Sequence, residues 1–275
     1  MKSPSERGMP IDAARRRRWV QEFGAYKSGV IEQTVVEWVG QFDDTDQDLA
    51  GRVLDIVDFY SIPRIETAFR DVLASLPGWH HQATQRKGKW RFCEFSAGPG
   101  TSAGDMLYRF KYANKLTGSQ FKELFIGRSQ ILGSGLGKDD TLVLVDDIVG
   151  TGEQAKTAFD EFFQELIASV GQVYLVTVGA RTEAIEAVLQ ETGIEIRCAQ
   201  ILMPGDSPIN DACTHFTADE KAKLIAYGLR ADKKHPKGFG DCGLVVVFYH
   251  NCPNNSLPIL HAVNLKWTPL FPRHT

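Results

Sequence analysis

Apolar positions fall into two textures along the chain. Up to about residue 88 they recur at helical spacing, three and four residues apart. Helices are expected over residues 12–23, 28–39, with Ile31, Val35 and Trp38, and 48–60, with Leu49, Val53, Ile56 and Val57. The clearest runs over 61–76: Ser61 suits an N-cap and Pro63 a first turn, while Ile62, Ile65, Phe69, Val72, Leu73 and Leu76 make one stripe. From Trp90 onward, short apolar runs end in glycine-bearing turns. Strands are expected at 91–95, 123–126, 142–145, 173–178, 194–198 and 244–248. Helices are expected at 105–114, after 154 with Ala155, Ala158 and Phe159 inward, and at 182–190. Continuous apolar strands alternating with helices predict a parallel sheet covered on both faces.

This predicts a helical region over 1–88 and an α/β domain over 89–275, within the range of one domain plus a subdomain. With 43% hydrophobic and 24% charged residues the composition is that of a globular protein. The net charge of −3 draws no nucleic acid globally, so such contact needs a local patch. No apolar run approaches the roughly 20 residues that span a bilayer. The polar start, Met1 to Pro10, does not look like a signal peptide, so a cytoplasmic protein with no membrane partner is expected. Cys93, Cys198, Cys213, Cys242 and Cys252 lack the spacing of a metal finger, so no metal ligands are assigned and reduced thiols are expected.

The chemistry concentrates in Thr141-Leu-Val-Leu-Val-Asp-Asp-Ile-Val-Gly-Thr-Gly-Glu-Gln154. A buried strand runs into two adjacent carboxylates, Asp146 and Asp147. A short turn, Gly150-Thr151-Gly152, then delivers Glu153 and Gln154 to a helix start. Unpaired backbone amides and the helix dipole suit a phosphate there, and glycine lets backbone approach a ligand. Carboxylates at the C-terminal edge of a parallel strand can accept hydrogen bonds from vicinal hydroxyls. The alternative is an ordinary turn in which Asp147 caps the next element.

This pattern resembles the phosphoribosyl pyrophosphate (PRPP) motif of type I phosphoribosyltransferases. The resemblance implies a twisted parallel sheet flanked by helices, with an N-terminal helical subdomain. It implies that Asp146 and Asp147 bind the ribose hydroxyls and that Gly150, Thr151, Gly152, Glu153 and Gln154 hold the 5-phosphate. Many members carry threonine or serine where this chain has Glu153 and Gln154. Purine-salvage members place an aspartate where Gly150 stands. The loop Ser96-Ala-Gly-Pro-Gly-Thr-Ser-Ala-Gly104 stands where the family binds pyrophosphate, which makes Gly98, Gly100, Thr101 and Ser102 candidates. The interval Gly127 to Lys138 stands where it keeps a mobile lid, with Arg128 and Lys138 available to neutralise a departing pyrophosphate. Mg²⁺ is implied as the family's companion of pyrophosphate.

Near the C-terminus, Tyr249-His-Asn-Cys-Pro-Asn-Asn is dense in amides. His250, Asn251, Asn254 and Asn255 suit the reading of a base or ribose, or equally tight turns. Together with Trp38-Val-Gly-Gln-Phe42 and Trp267-Thr-Pro-Leu-Phe-Pro-Arg273, this region is similar to phosphoribosyltransferase-like effectors of bacterial conflict systems, retrons among them. That likeness implies a reverse transcriptase and its multicopy single-stranded DNA–RNA product (msDNA) as partners, with a winged-helix protein in some systems; self-association stays open. Arg15, Arg16, Arg17 and Arg18 form the one basic run, suited to nucleic-acid phosphate or to pairing with nearby acids. Three functions follow: an effector acting at ribose C1, a ligand-binding module without catalysis, or a nucleotide-salvage enzyme.

Overall fold

The computed structural model describes residues 11–95 and 102–273. In chain order it contains α1 (Ala13–Phe23), α2 (Glu32–Val39), α3 (Gln47–Asp55), β1 (Asp58–Tyr60), α4 (Ile62–Ser75), β2 (Trp90–Glu94) and α5 (Ala103–Ala113). There follow β3 (Thr141–Val145), β4 (Ile148–Val149), α6 (Glu153–Ala158), α7 (Gln164–Ser169), β5 (Gln172–Arg181), α8 (Thr182–Thr192), β6 (Glu195–Leu202), α9 (Ala218–Ala231), β7 (Val246–Phe248) and α10 (Pro258–His261). A π-helical turn, Phe159–Phe163, joins α6 to α7. Two compact units divide the chain: Met1–Ser61 with Met203–Thr275, and Ile62–Leu202. Residue 88, the boundary expected from the sequence texture, falls inside the second.

In the second unit every strand pair is parallel. β3 lies between β2 and β5, and β6 pairs with the other edge of β5. All five residues of β3 are buried, as expected of a strand covered on both faces. Side chains alternate across the sheet. Phe92 meets Phe110 of α5, which in turn meets Phe69 of α4. Cys93, Leu142, Leu144 and Leu175 pack on the opposite face with Ala155 of α6 and Ala184 and Val188 of α8. The α/β fold with helices on both faces is therefore as expected.

One expected strand is absent. Of residues 123–126, Glu123 and Leu124 end a 3₁₀ helix, Ser119–Leu124, and Phe125 makes a single bridge to Phe92. Phe121 and Leu124 are both buried. Their spacing of three matches the 3₁₀ repeat, so burial favours that turn over an extended chain.

The first unit has a separate aromatic core containing Trp19, Phe23, Trp38, Phe42, Trp267 and Phe271. Asp12 caps α1 by accepting from the Arg15 amide at 2.7 Å. The indole N–H groups of Trp38 and Trp267 both donate to the carbonyl of Ile259, at 2.8 and 2.9 Å. The helix expected over 48–60 ends at Asp55, because residues 58–60 form β1 and pair in parallel with β7. Pairing with a strand nearly two hundred residues away overrides the local apolar spacing. Helix α9 carries no expectation from the sequence, although Thr217 and Glu220 form a capping box at its start.

Gly228 in α9 tests this packing. Helix propensity alone favours alanine there by about 1 kcal/mol, but an added Cβ would stand 1.9 Å from the carbonyl oxygen of Pro236. Gly228→Ala is expected to destabilise the protein by about 1–3 kcal/mol. Thermal unfolding checks the sign: a higher Tm would contradict the tight approach.

Candidate functional site

Asp146 and Asp147 lie between β3 and β4, and both strands run beside β5. Val145 pairs with Val176 and Ile148 with Gly179, so the register is the same on either side of the acids. The acids' own backbone keeps this pairing. Asp146 N–H donates to Val176 O at 3.1 Å, and Asp147 O accepts from Val178 N–H at 2.9 Å. Their backbone positions are thus fixed by the most buried part of the sheet.

Both acids are buried, 6% and 9% exposed. One oxygen of Asp146 accepts from the Asp147 amide at 2.9 Å, and one of Asp147 from the Ile148 amide at 2.7 Å. Burial raises the Asp146 carboxyl well above the usual carboxylate range, and the adjacent Asp147 charge adds to that. A protonated carboxyl both donates and accepts, which suits it to hydroxyl groups.

The turn after β4 is closed locally. Glu153 N–H donates to Thr151 Oγ1 at 3.3 Å, and Gly152 takes φ +82°. A Cβ on Gly152 would meet Val188 Cγ2 at 2.8 Å, so both the left-handed backbone and the approach of α8 require glycine. Gly152 stands at the N-cap of α6 and has no side chain to offer, so Thr151 Oγ1 is the side-chain acceptor at this helix start; the helical run continues through the π turn into α7. The Glu153 carboxylate is largely exposed and lies 4.0 Å from Lys156 Nζ, which is 2.8 Å from Glu191. Its charge is thereby offset on the helix surface. Gln154 is exposed, and Gly150 is buried.

Gly98, Gly100 and Thr101 lie outside the described residues; Ser102 immediately precedes α5. The guanidinium nitrogens of Arg128 are shielded from solvent. Its charge acts on the Cys93 thiol, which burial and Glu94 push up to about 12 against that influence. Lys138 does not join the acids. It lines a cavity of about 260 Å³ with Thr141 and Gln172, the first residues of β3 and β5, and donates to Ala168 O at 2.5 Å. That is the opposite edge of the sheet from Asp146.

His250, Asn251, Asn254 and Asn255 belong to the first unit. His250 sits against the rings of Phe248 and Tyr249, with ring centroids 5.7 and 4.9 Å away. Asn251 bridges Phe248. Asn254 O accepts from the Phe239 amide at 2.7 Å, and the Asn255 side-chain amide donates to Phe239 O at 3.1 Å. Three of the four arginines meet acids: Arg15 binds Asp48 and Asp55, Arg16 binds Glu32 and Arg18 binds Asp55. Arg17 is exposed. Val188 and Ala184, which back Gly152, were not among the sequence candidates; nothing local marks them.

Parallel strands, the paired acids and the glycine turn at a helix start define a phosphoribosyltransferase-like α/β protein. The chain belongs to the PRTase-CE family, whose family model matches residues 35–273. No curated protein matches it.

The Asp146 proton gives a test. A carboxyl raised in the folded state keeps its proton where the unfolded chain, near 3.8, has lost it. Folding stability should therefore be greatest below about pH 4 with respect to this group, and fall as pH rises through the raised value. Asp146→Asn should flatten that slope in urea unfolding measured across pH. An unchanged slope would mean that Asp146 ionises normally.

Proposed function

We propose that the chain binds PRPP or a nucleotide at Asp146, Asp147 and Gly150–Gln154, and makes or breaks a bond at ribose C1. The observation that carries this reading is the strand-held acid pair leading through a left-handed Gly152 into a helix start. In this reading the two carboxyls take the ribose hydroxyls and the turn amides take the 5-phosphate. As the bond from C1 to its leaving group breaks, its electron pair departs with pyrophosphate or base. An oxocarbenium-like centre forms and is captured by a base nitrogen or by water. Such chemistry depends on positioning and charge neutralisation more than on a strong nucleophile.

Mg²⁺ belongs to this proposal as the companion of a diphosphate. It keeps several waters and takes one or two carboxylates with substrate phosphates. Among the described residues no three candidate ligands converge. The acid pair with a diphosphate suits that demand, and a closed protein site does not enter it.

The resemblance in the motif, the asparagine-rich segment and the closing Trp-Thr-Pro-Leu-Phe-Pro-Arg segment supports a finer role. The chain would be a cytoplasmic effector of a retron-type anti-phage system, restrained by a reverse transcriptase and its msDNA and toxic when released. A second reading, a ligand-binding regulator without turnover, is favoured by Gly150, which offers no side chain for proton transfer.

PRPP with Mg²⁺ is expected to raise the Tm of the purified protein, by several degrees at about 100 times Kd. Asp147→Asn should remove most of that shift. Release of pyrophosphate or free base supports the effector reading, and binding without release supports the regulator. No shift with PRPP or any nucleotide overturns both. In cells, a nucleotide pool altered by the wild type but not by the Asp146→Asn/Asp147→Asn variant ties toxicity to this site.

A further inference from the structure

Helix α5 presents its aromatic residues in two ways. Phe110 is buried against the sheet, whereas Tyr108 and Tyr112 stand outward, each 57% exposed. One helical turn apart, they share a face. Their rings are 19° from parallel with centroids 6.4 Å apart, close to two stacking layers of about 3.4 Å. The Arg109 guanidinium carbon lies 5.7 Å from the Tyr108 centroid, while Arg109 also faces Asp105 at 3.6 Å and Glu66 at 3.8 Å. Asp105 and Glu66 thus offset Arg109, and Lys111 and Lys115 remain as the cations beside the rings, in a protein whose net charge is −3. Lys111 Nζ lies 4.7 Å from the Phe125 ring, and Lys115 is exposed just beyond the helix end.

We propose that Tyr108 and Tyr112, flanked by Lys111 and Lys115, form a stacking platform for single-stranded nucleic acid. Exposed aromatic planes beside cations fit this partner specifically. Every base has a flat face that a tyrosine can cover, and the phosphates between bases meet the lysines. A duplex keeps its bases stacked on one another and offers these rings only its backbone. A protein partner would gain from the apolar rings but not from the excess of cations. The platform does not rest on the phosphoribosyl reading, because none of its residues belongs to the acid pair or the glycine turn.

The test is fluorescence anisotropy with labelled oligo-dT and oligo-rU of about 20 nucleotides, against a duplex of the same length. Either single strand should bind, and more tightly than the duplex. Tyr108→Ala/Tyr112→Ala should weaken binding about tenfold or more, while Tyr108→Phe/Tyr112→Phe keeps it, since the stacking face persists. Lys111→Ala/Lys115→Ala should reduce the slope of log affinity against log salt by about 0.7 for each phosphate that is no longer neutralised. In the unmodified protein, photocrosslinks from 5-iodouracil-containing strands should map to Tyr108 or Tyr112. The proposal is overturned if neither strand binds, if the duplex binds equally, if the alanine pair binds as the wild type does, or if crosslinks map elsewhere. It is overturned equally if the alanine pair loses only self-association, which would mark an interface between copies. Asp147→Asn should leave oligonucleotide binding as it is, so this proposal and the phosphoribosyl reading fail separately.

Discussion

The pairing of β3 with β5, carried without a register break into β4, is the constraint on which the candidate site depends. Because the register is shared, the backbone at Asp146 and Asp147 is held by the same ladder that holds the core. A slip of one residue would exchange every side chain between the two faces of the sheet. It would carry Leu142 and Leu144 away from Ala184 and Val188, and the acids with them. Packing of the core and placement of the acids are one event.

That arrangement also sets the chemistry. Two carboxyls side by side in a buried strand end cannot both ionise cheaply, and burial with the Asp147 charge raises the Asp146 carboxyl well above the usual carboxylate range. The turn that follows is restricted from the far side. Val188 closes on Gly152 and leaves space for a glycine alone. Helix α8 therefore shapes the loop although it contributes no polar group. The charge of Glu153, which would repel an anion if it turned inward, is set against Lys156 at the helix surface.

The other unit is organised on a different principle. Segments far apart in sequence converge on one carbonyl, that of Ile259, which accepts from two tryptophan indoles. Buried indole N–H groups need a partner, and Trp38 and Trp267 find the same one. Phe271 packs edge-on to Phe23 at 5.3 Å and to Tyr26 at 5.2 Å, tying residues 267–273 to the first helix. In the asparagine-rich segment, the Asn255 side-chain amide and the Asn254 backbone carbonyl both bind the backbone of Phe239. The run of arginines is likewise largely engaged with Asp48, Asp55 and Glu32.

What the sequence determined by itself is local. Apolar spacing marked α1, α2, α4, β2, β3, β5 and α8 within a few residues, because period and length are written in neighbouring positions. The acid pair and glycine turn were legible for the same reason. Long-range contacts decided the rest. Residues 58–60 became a strand because β7 is there to pair with, and Phe121 and Leu124 took a 3₁₀ turn to reach the core. Lys138 sits at the opposite sheet edge from the acids because it precedes β3 while they follow it, and that separation depends on the strand running straight between them. Only the fold could show that Gly152 faces Val188, or that Tyr108 and Tyr112 remain open while Phe110 is buried. One local pattern is compatible with several partners, and burial selects among them.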